Sequence, residues 1–337
     1  MRAWILDGSF GLEQLTLKAR DRAEPGPGQV RLKMTAASLN FRDLLMVRGL
    51  YNPRQPLPLI PCSDGVGVVE AVGDGVDEGM LGQRVMPIFA QGWLAGAPTR
   101  EKLMSTLGGP LDGTLAEEMV VSADGVVEVP EHLTDVEAAT LPCAGVTAWN
   151  ALAEQGGIRA GQTVLTLGTG GVSIFALQFG RLLGARVFIT SSKEEKLARA
   201  RALGAEECIN YVENPKWGKV AAELAGDGVD LVVEVGGAGT LEQSVRAVKI
   251  GGRISLIGVL SGGVEAFNVI PVLMRNLRIQ GVIVGHREMF EAMNRAIEFH
   301  GMRPVVDRVY GFEEVPAAFE DLGKGEHFGK LCIDLTQ

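Results

Sequence analysis

The second half of the chain alternates short, β-branched apolar runs with segments of helical periodicity. From Thr163 onward six such runs follow one another: TVLTLG, ARVFIT, ECINY, VDLVVEVGG, GRISLIGVL and LRIQGVIVG. The segments between them repeat apolar residues at helical spacing, as at Leu197, Ala200 and Leu203. Apolar strands separated by helices are typical of βαβ units in a parallel sheet covered on both faces. The pattern predicts an α/β, doubly wound (Rossmann) domain of six strands.

Residues 1–122 show a different pattern, in which short strand-like runs are divided by glycine, proline and aspartate turns. Few helical segments separate these runs, so we expect a mostly antiparallel, barrel-like β domain. Residues 300–337 have the pattern strand, helix, strand and are expected to return to this first domain. Residues 123–299 then form the α/β domain. The segment Gly92–Gly113 is predicted to be an inserted loop.

Composition and charge narrow the class of protein. The length of 337 residues suggests two domains, and 46% hydrophobic residues allow a sizeable core. The net charge of −9 argues against a nucleic-acid binder, which needs a basic face. The four cysteines form no C-x-x-C pair, and no apolar run approaches the length of a membrane span. We therefore expect a cytoplasmic protein without a membrane partner.

A glycine-rich turn lies between the first strand and the first helix of the predicted α/β domain. The sequence VLTLGTGGVSIF contains Gly168, Gly170 and Gly171, followed by Val172. Backbone N–H groups of such a turn, at a helix N-terminus, bind a pyrophosphate. Ser173 replaces the third glycine of the usual motif and is small enough for close packing. These residues predict a dinucleotide site.

The end of the second strand of this domain bears on the choice of cofactor. An acidic residue there would bind the ribose 2′-OH and repel a 2′-phosphate, but the chain has Ser191 and Ser192, followed by Lys193 and Lys196. Hydroxyl and ammonium groups favour NADP(H) over NAD(H). The lysines are alternatively a solvated helix face, which two neighbouring glutamates partly neutralise. Tyr211 either packs against the adenosine or belongs to the core.

Several stretches together resemble the medium-chain dehydrogenase/reductase superfamily. They include SLNFRDLLMVRGLY, CSDGVGVVEAVGDGV, GQRV, LPCAGVTAWNAL, the segment from GQTVLTLG to RALGA, and EHFGKLCIDL. SLNFRD and CINY most resemble its quinone oxidoreductase branch. The resemblance implies a GroES-like catalytic domain, a Rossmann domain, a cleft between them and a homodimer.

The resemblance also locates the positions at which many members of this superfamily bind zinc. These positions hold Asn40, Ser63 and Cys143 here, and the acidic neighbour of the second position is Asp64. A catalytic zinc needs about three nitrogen, thiolate or carboxylate ligands, so we expect no catalytic zinc. The alternative is a shifted set made of Cys62, Asp64 and Cys143. The inserted loop lacks cysteine, so we expect no structural zinc either.

Without a metal, hydride transfer to an electron-poor carbonyl is easier than oxidation of an alcohol, whose hydroxyl is a very weak acid. We therefore expect an NADPH-dependent reductase whose small-molecule substrate is a quinone or another α,β-unsaturated carbonyl. An alcohol dehydrogenase or aldehyde reductase, and a non-enzymatic NADPH-binding protein, are the alternatives.

Candidate catalytic residues lie in the first domain, and each has a structural alternative. Asn40 is an amide able to polarise a carbonyl, or a turn residue at a strand end. Asp43 is a site residue or a helix cap. Tyr51 is a pocket wall or a proton donor. Asp64 is the expected acid of the pocket.

Three further residues are predicted to contact the cofactor. Thr147 precedes the α/β domain and is placed at the nicotinamide end. Gly258 follows the fifth strand of the α/β domain. Lys330, in HFGKL, is assigned to the cofactor by the resemblance and is otherwise a surface lysine.

Overall fold

The computed structural model describes all 337 residues, and the chain forms two compact units. Unit 1 comprises Met1–Val146 and Gly285–Gln337, and unit 2 comprises Thr147–Val284. Unit 1 therefore takes both ends of the chain. Residues 123–146 and 285–299, which the prediction assigns to the α/β domain, make their contacts in unit 1.

The strands, in chain order, are β1 Arg2–Leu6, β2 Leu15–Ala19, β3 Gln29–Ser38, β4 Asp64–Val72, β5 Arg84–Pro87, β6 Glu118–Ser122, β7 Val126–Glu128, β8 Thr163–Leu167, β9 Arg186–Ser191, β10 Glu207–Asn210, β11 Val229–Glu234, β12 Val248–Leu256, β13 Arg278–Gly281, β14 Val306–Gly311 and β15 Lys330–Asp334. The α-helices are α1 Phe41–Val47, α2 Arg100–Leu103, α3 Asp135–Ala138, α4 Val146–Trp149, α5 Gly171–Leu182, α6 Glu194–Ala202, α7 Trp217–Ala225, α8 Ala238–Ala247, α9 Ile270–Met274, α10 Arg287–His300 and α11 Val315–Lys324. None of the helices is long and apolar enough to cross a membrane.

Unit 2 contains one six-stranded parallel sheet in the order β10-β9-β8-β11-β12-β13. Its strands are apolar because helices cover the sheet, and Leu165, Phe188, Val232 and Ile254 are among the buried residues of its core. The predicted doubly wound domain is confirmed. The strand order reverses between β8 and β11, and at such a point open parallel sheets bind ligands beyond the carboxyl ends of their strands.

Unit 1 contains a two-stranded antiparallel pair, β1–β2, and a seven-stranded sheet in the order β14-β15-β3-β4-β5-β7, with β6 also paired to β3. Most of these pairs are antiparallel, as predicted, while β14 and β15 run parallel. The C-terminal segment forms β14, α11 and β15, and β15 pairs with β3. The C-terminal segment therefore lies in the same unit as residues 1–146.

The register of three neighbouring strands brings distant parts of the sequence to one end of this sheet. Ser38, the last residue of β3, lies opposite Asp64 on β4 and opposite Cys332 on β15. Asn40 follows β3 directly, and Lys330 is the first residue of β15. These three strand ends therefore meet around Asn40, Asp64 and Lys330.

Helix α10 belongs to unit 1 although it follows the α/β pattern in sequence. Asn294 of α10 donates through Nδ2 to the carbonyl oxygen of Glu128 in β7 (3.1 Å), and β7 pairs with β5. His286 begins the helix by accepting the backbone N–H of Met289 at Nδ1 (3.3 Å), and Gly301 ends it at a φ of 58°. This hydrogen bond and this pairing explain why the boundaries of the units differ from those predicted.

Candidate functional site

The glycine turn after β8 is open on its outer side. Gly168 adopts a φ of 71°, and a Cβ at Gly168 or Gly170 would meet no heavy atom within 4 Å. The N–H of Gly168 donates to Thr190 Oγ1 (3.2 Å), which ties the turn to β9. Gly171 and Val172 are the first residues of α5, so their N–H groups lie at its positive end. The structure thus brings the four predicted residues together as a surface that an anion can approach closely.

Ser173 takes over part of the role of the missing third glycine. Its buried hydroxyl donates to the carbonyl oxygen of Leu167 (2.6 Å), the last residue of β8. This hydrogen bond fastens the first turn of α5 to the end of the strand. The departure from the usual glycine motif therefore leaves the turn intact.

The carboxyl end of β9 carries the residues predicted to select the cofactor. Ser191 is buried, Ser192 is exposed, and Lys196 is half-buried. Ser191 accepts the N–H of Tyr211 at its carbonyl oxygen (3.1 Å), which places the tyrosine beside β9. The Tyr211 side chain is exposed, so it does not belong to the core. No acidic residue ends the strand.

Glu194, in the first turn of α6, is the carboxylate nearest in sequence to this strand end. Asn210 donates to its Oε1 through Nδ2 (2.9 Å). The carboxylate is therefore held toward β10, where Asn210 ends the strand.

Glu234, at the carboxyl end of β11, is a fully buried carboxylate that the sequence analysis did not identify. Its Oε1 accepts hydrogen bonds from Gly236 N (2.7 Å), Gly237 N (3.0 Å) and Thr240 Oγ1 (2.6 Å), and its Oε2 accepts one from Ser244 Oγ. These neutral donors shape the turn between β11 and α8. The turn lies at the same sheet edge as the glycine turn, because β8 and β11 are neighbours.

Gly258 lies against this turn. Its N–H approaches the carbonyl oxygen of Glu234 (3.3 Å), and a Cβ at this position would lie 2.5 Å from the carbonyl oxygen of Val235. Glycine is required here by close backbone packing.

Thr147, which is also predicted to contact the cofactor, is a buried residue of α4 in unit 2.

In unit 1, Asn40 and Asp43 define the start of α1. The backbone N–H of Asn40 donates to Asp43 Oδ2 (2.9 Å), and Arg42 Nη1 donates to Asp43 Oδ1 (3.1 Å). Arg42 is enclosed between two aromatic rings, since its guanidinium carbon lies 5.0 Å from the ring centroids of both Tyr51 and Phe89. The contacts of Asp43 are those of a helix cap, and Tyr51 is connected to it through Arg42.

The side chains of Asn40, Asp64 and Lys330 form a buried polar cluster in unit 1. Lys330 Nζ donates to Asn40 Oδ1 (2.5 Å) and to the carbonyl oxygen of Leu39 (2.7 Å), and lies 3.8 Å from Asp64 Oδ2. Ser63 Oγ donates to Asp64 Oδ1 (3.1 Å). Lys330 is only 3% exposed, so it is not the surface lysine that the sequence alone allows.

Two polar atoms of this cluster remain without a well-formed hydrogen bond. They are Asn40 Nδ2, a donor, and Asp64 Oδ2, an acceptor, and both are buried. Burial raises the pKa of Asp64 to about 7, while Lys330 and the nearby Asn40 amide act to lower it. The cluster therefore holds one donor and one acceptor that a polar ligand can satisfy.

Comparisons with known proteins give the site a context. Residues 26–131 match the alcohol dehydrogenase GroES-like domain, and residues 171–298 match the zinc-binding dehydrogenase family. The chain is 42% identical to a zinc-type alcohol dehydrogenase-like protein of Schizosaccharomyces pombe, over 99% of both chains. The predicted GroES-like domain is confirmed by the first match.

Two solved structures show the same fold. A NAD-dependent alcohol dehydrogenase is 34% identical with a TM-score of 0.92, and the match covers 99% of this chain and 100% of that one. The 2-octenoyl-CoA carboxylase reductase CinF, in complex with NADP and 2-octenoyl-CoA, is 25% identical with a TM-score of 0.89. That match covers 99% of this chain and 87% of CinF.

The residues at the expected metal position do not fit a zinc ion. Lys330 already places a positive charge 3.8 Å from Asp64, and the Ser63 hydroxyl donates to the same carboxylate. Burial, reinforced by the negative charge of Asp64, raises the pKa of the Cys143 thiol, so it is a poor source of thiolate. No group of three or more His, Cys, Asp or Glu residues is placed to hold a metal ion, and the alternative set with Cys62 is not assembled.

Asn40 and Asp64 could be identified from the sequence, but the side chains that surround them could not. Lys330 was predicted only as a cofactor contact. Its place at the start of a strand that returns to the first domain is the signal that it meets the end of β3 and the start of β4. For Glu234, the signal was an acidic residue at the end of an otherwise apolar strand. Such a carboxylate needs several donors when it is buried.

The raised pKa of Asp64 predicts a pH-dependent stability. In the unfolded chain this carboxyl ionises near its ordinary pKa of 3.8, whereas in the folded protein it keeps its proton until about pH 7. The free energy of unfolding should therefore decrease by up to about 1.4 kcal/mol per pH unit as the pH rises through this interval. Urea unfolding of wild type and Asp64→Asn between these pH values tests this, because the variant lacks the contribution. Identical slopes would contradict it.

Proposed function

Since the chain belongs to the medium-chain dehydrogenase/reductase superfamily, we propose that it is a zinc-independent reductase that transfers hydride from NADPH to a quinone or another α,β-unsaturated carbonyl. The observation that carries the proposal is the buried Lys330 ammonium beside the Asn40 amide and Asp64. It occupies the neighbourhood in which a metal would otherwise supply positive charge. A fixed ammonium and an amide donor suit a substrate whose developing negative charge is already spread by conjugation.

The chemistry divides between the cofactor and the residues of unit 1. A bound nicotinamide supplies the hydride. Asn40 Nδ2 donates a hydrogen bond to the carbonyl oxygen, where negative charge develops. Lys330 withdraws electron density from the same amide through Oδ1, which makes Nδ2 a stronger donor. Asp64, when ionised, balances the charge of Lys330.

The chemistry of one relative supports a conjugated substrate. CinF is described with 2-octenoyl-CoA, which is an α,β-unsaturated thioester, and with NADP. The alcohol dehydrogenases among the relatives favour the second candidate, an alcohol dehydrogenase or aldehyde reductase. We rank it lower because an alcohol is a very weak acid, and its ionisation needs more stabilisation than one amide and one ammonium supply.

Turnover and metal content together test this function. Protein purified without chelator should oxidise NADPH in the presence of quinones or enones and contain no stoichiometric zinc. Asn40→Ala should lower kcat/KM by about 100-fold, because it removes the donor to the developing oxyanion. Phe299→Ala, an exposed side chain of unit 1, is the control and should be neutral. Stoichiometric zinc with alcohol oxidation would favour the second candidate, and NADPH binding without any turnover would favour a non-enzymatic protein.

We further propose that NADPH is preferred over NADH. Ser191 ends β9 in place of an acidic residue, Ser192 and Lys193 follow it, and the Glu194 carboxylate is held by Asn210. These features leave room for a 2′-phosphate next to hydroxyl and ammonium groups.

A charge placed at Ser191 tests the cofactor preference. Ser191→Asp should raise KM for NADPH at least tenfold and change KM for NADH little, because the new carboxylate repels the 2′-phosphate and accepts from the 2′-OH. Ser191→Asn adds similar volume without charge and is the matched control. Equal effects of Ser191→Asp on both cofactors would contradict the preference.

A homodimer is proposed from the free edge of the sheet in unit 2. β13 pairs only with β12, so its other side presents unpaired backbone groups. Large apolar side chains are exposed close to it in sequence, at Ile270, Leu273, Met274 and Ile283. Pairing of two copies along this edge would cover both features.

Sedimentation analysis tests the dimer. Wild type should sediment as a dimer, and Leu273→Lys combined with Met274→Lys should shift it to a monomer, because two desolvated charges oppose the contact. Phe299→Lys replaces an equally exposed apolar residue of unit 1 and should leave the dimer unchanged. A monomeric wild type, or a dimer unaffected by the lysines, would contradict the proposal.

The state of the cysteines indicates the kind of cellular compartment in which the protein is found. Cys62, Cys143, Cys208 and Cys332 are all free thiols, and three of them are buried. A protein of this size without disulfides suits a reducing environment, so we propose a cytoplasmic location.

A further inference from the structure

We infer that Lys330 is a positioning residue that fixes the orientation of the Asn40 amide, so that its Nδ2 and not its Oδ1 is presented to the substrate carbonyl. The inference rests on the proposed function, in which Asn40 polarises that carbonyl. It assigns to Lys330 a role within unit 1 in addition to the cofactor contact predicted from the resemblance.

The orientation follows from the chemistry of the two side chains. An ammonium has three N–H donors and no acceptor, whereas an amide has one acceptor end and one donor end. Lys330 Nζ lies 2.5 Å from the Asn40 side chain, and at this distance only Oδ1 can face it. The opposite amide orientation would set two donors against each other. The amide is therefore held with Nδ2 turned away from the lysine.

Lys330 is itself held firmly. Its Nζ also donates to the carbonyl oxygen of Leu39 (2.7 Å), the residue next to Asn40. The backbone N–H of Leu39 donates to the carbonyl oxygen of Leu331 (3.0 Å), so backbone and side chain both join the start of β15 to the end of β3. Lys330 is only 3% exposed, so water has little access to its ammonium. A group fixed on this many sides can hold a neighbouring amide in one orientation.

The atom that this arrangement presents is an unused donor. Asn40 Nδ2 is buried and lacks a well-formed hydrogen bond. Asp64 Oδ2 also lacks one, although the Asp64 carboxyl interacts with the Asn40 amide and lies 3.8 Å from Lys330 Nζ. A buried donor left without a partner destabilises a protein, so such atoms concentrate where a ligand completes them. A carbonyl oxygen is the complementary group for Nδ2.

Without the lysine, the amide loses the interaction that distinguishes its two ends. A half-turn about its last side-chain bond then presents Oδ1, which repels a carbonyl oxygen. Lys330 is thus expected to act through Asn40, and its effect should disappear when Asn40 is replaced. This dependence on Asn40 distinguishes a positioning role of Lys330 from a general contribution of Lys330 to the stability of the fold.

A double-mutant cycle on kcat/KM for an enone tests this dependence. Lys330→Met should lower kcat/KM by 10- to 100-fold, mainly through kcat, because the lost hydrogen bond strengthens as charge develops on the oxygen. Adding Lys330→Met to Asn40→Ala should cause no further loss. Lys330→Arg keeps donors for Oδ1 and should retain most of the activity. Fully additive losses, or an inactive Lys330→Arg with a wild-type melting temperature, would overturn the inference.

A measurement independent of turnover separates this inference from the proposed function. The side-chain ¹⁵N amide signals of Asn40, assigned by their absence in Asn40→Asp, should show two distinct, slowly exchanging protons in wild type. Lys330→Met should shift these signals and speed their exchange, while Lys330→Arg should preserve them. The arginine variant also provides the test if the methionine variant does not fold. Unchanged signals in Lys330→Met would overturn the inference even in an active enzyme. Wild type that reduces no conjugated carbonyl would overturn the proposed function, and with it the substrate-facing role of the amide.

Discussion

The interaction on which unit 1 depends is the contact between the first residue of its last strand and the residue that follows its third. Lys330 and Asn40 are separated by 290 positions in the chain, yet Nζ and Oδ1 are 2.5 Å apart. The antiparallel pairing of β15 with β3, and of β3 with β4, makes this approach possible. Everything proposed for the chemistry of this protein requires that these three strands end together.

Burying an ammonium is costly, with an effective penalty of several kcal/mol for an isolated ion. Here the penalty is offset locally by two oxygen acceptors and by the carboxyl group of Asp64. The raised pKa of Asp64 shows that burial still outweighs the attraction of Lys330 for this group. The site therefore keeps polar groups that are only partly satisfied, a condition typical of functional sites rather than of structural cores.

The elements of unit 2 could be predicted because their signals are local. Apolar runs such as TVLTLG, and glycine residues at a strand end, specify a parallel sheet and its first turn without reference to distant residues. The boundaries of the units were harder to predict. The chain passes from unit 1 to unit 2 within α4, and the sequence of α10 has an ordinary helical pattern that does not indicate its unit. Glu234 was not predicted, and Lys330 was predicted only as a cofactor contact, for a related reason. Their roles depend on partners that periodicity does not reveal, either across the sheet or in a turn that forms only when the strand is buried.

The division of unit 1 between the two ends of the chain has a consequence for biosynthesis. All residues of unit 2 leave the ribosome before β14 and β15 do, so its parallel sheet can form while the sheet of unit 1 still lacks two strands. During this interval the free side of β3 that β15 will occupy is an unprotected strand edge. Pairing of β15 with β3 then completes the sheet and the polar cluster together. A nascent chain that lacks Lys330 can therefore contain a folded parallel sheet in unit 2 and an incomplete polar cluster in unit 1.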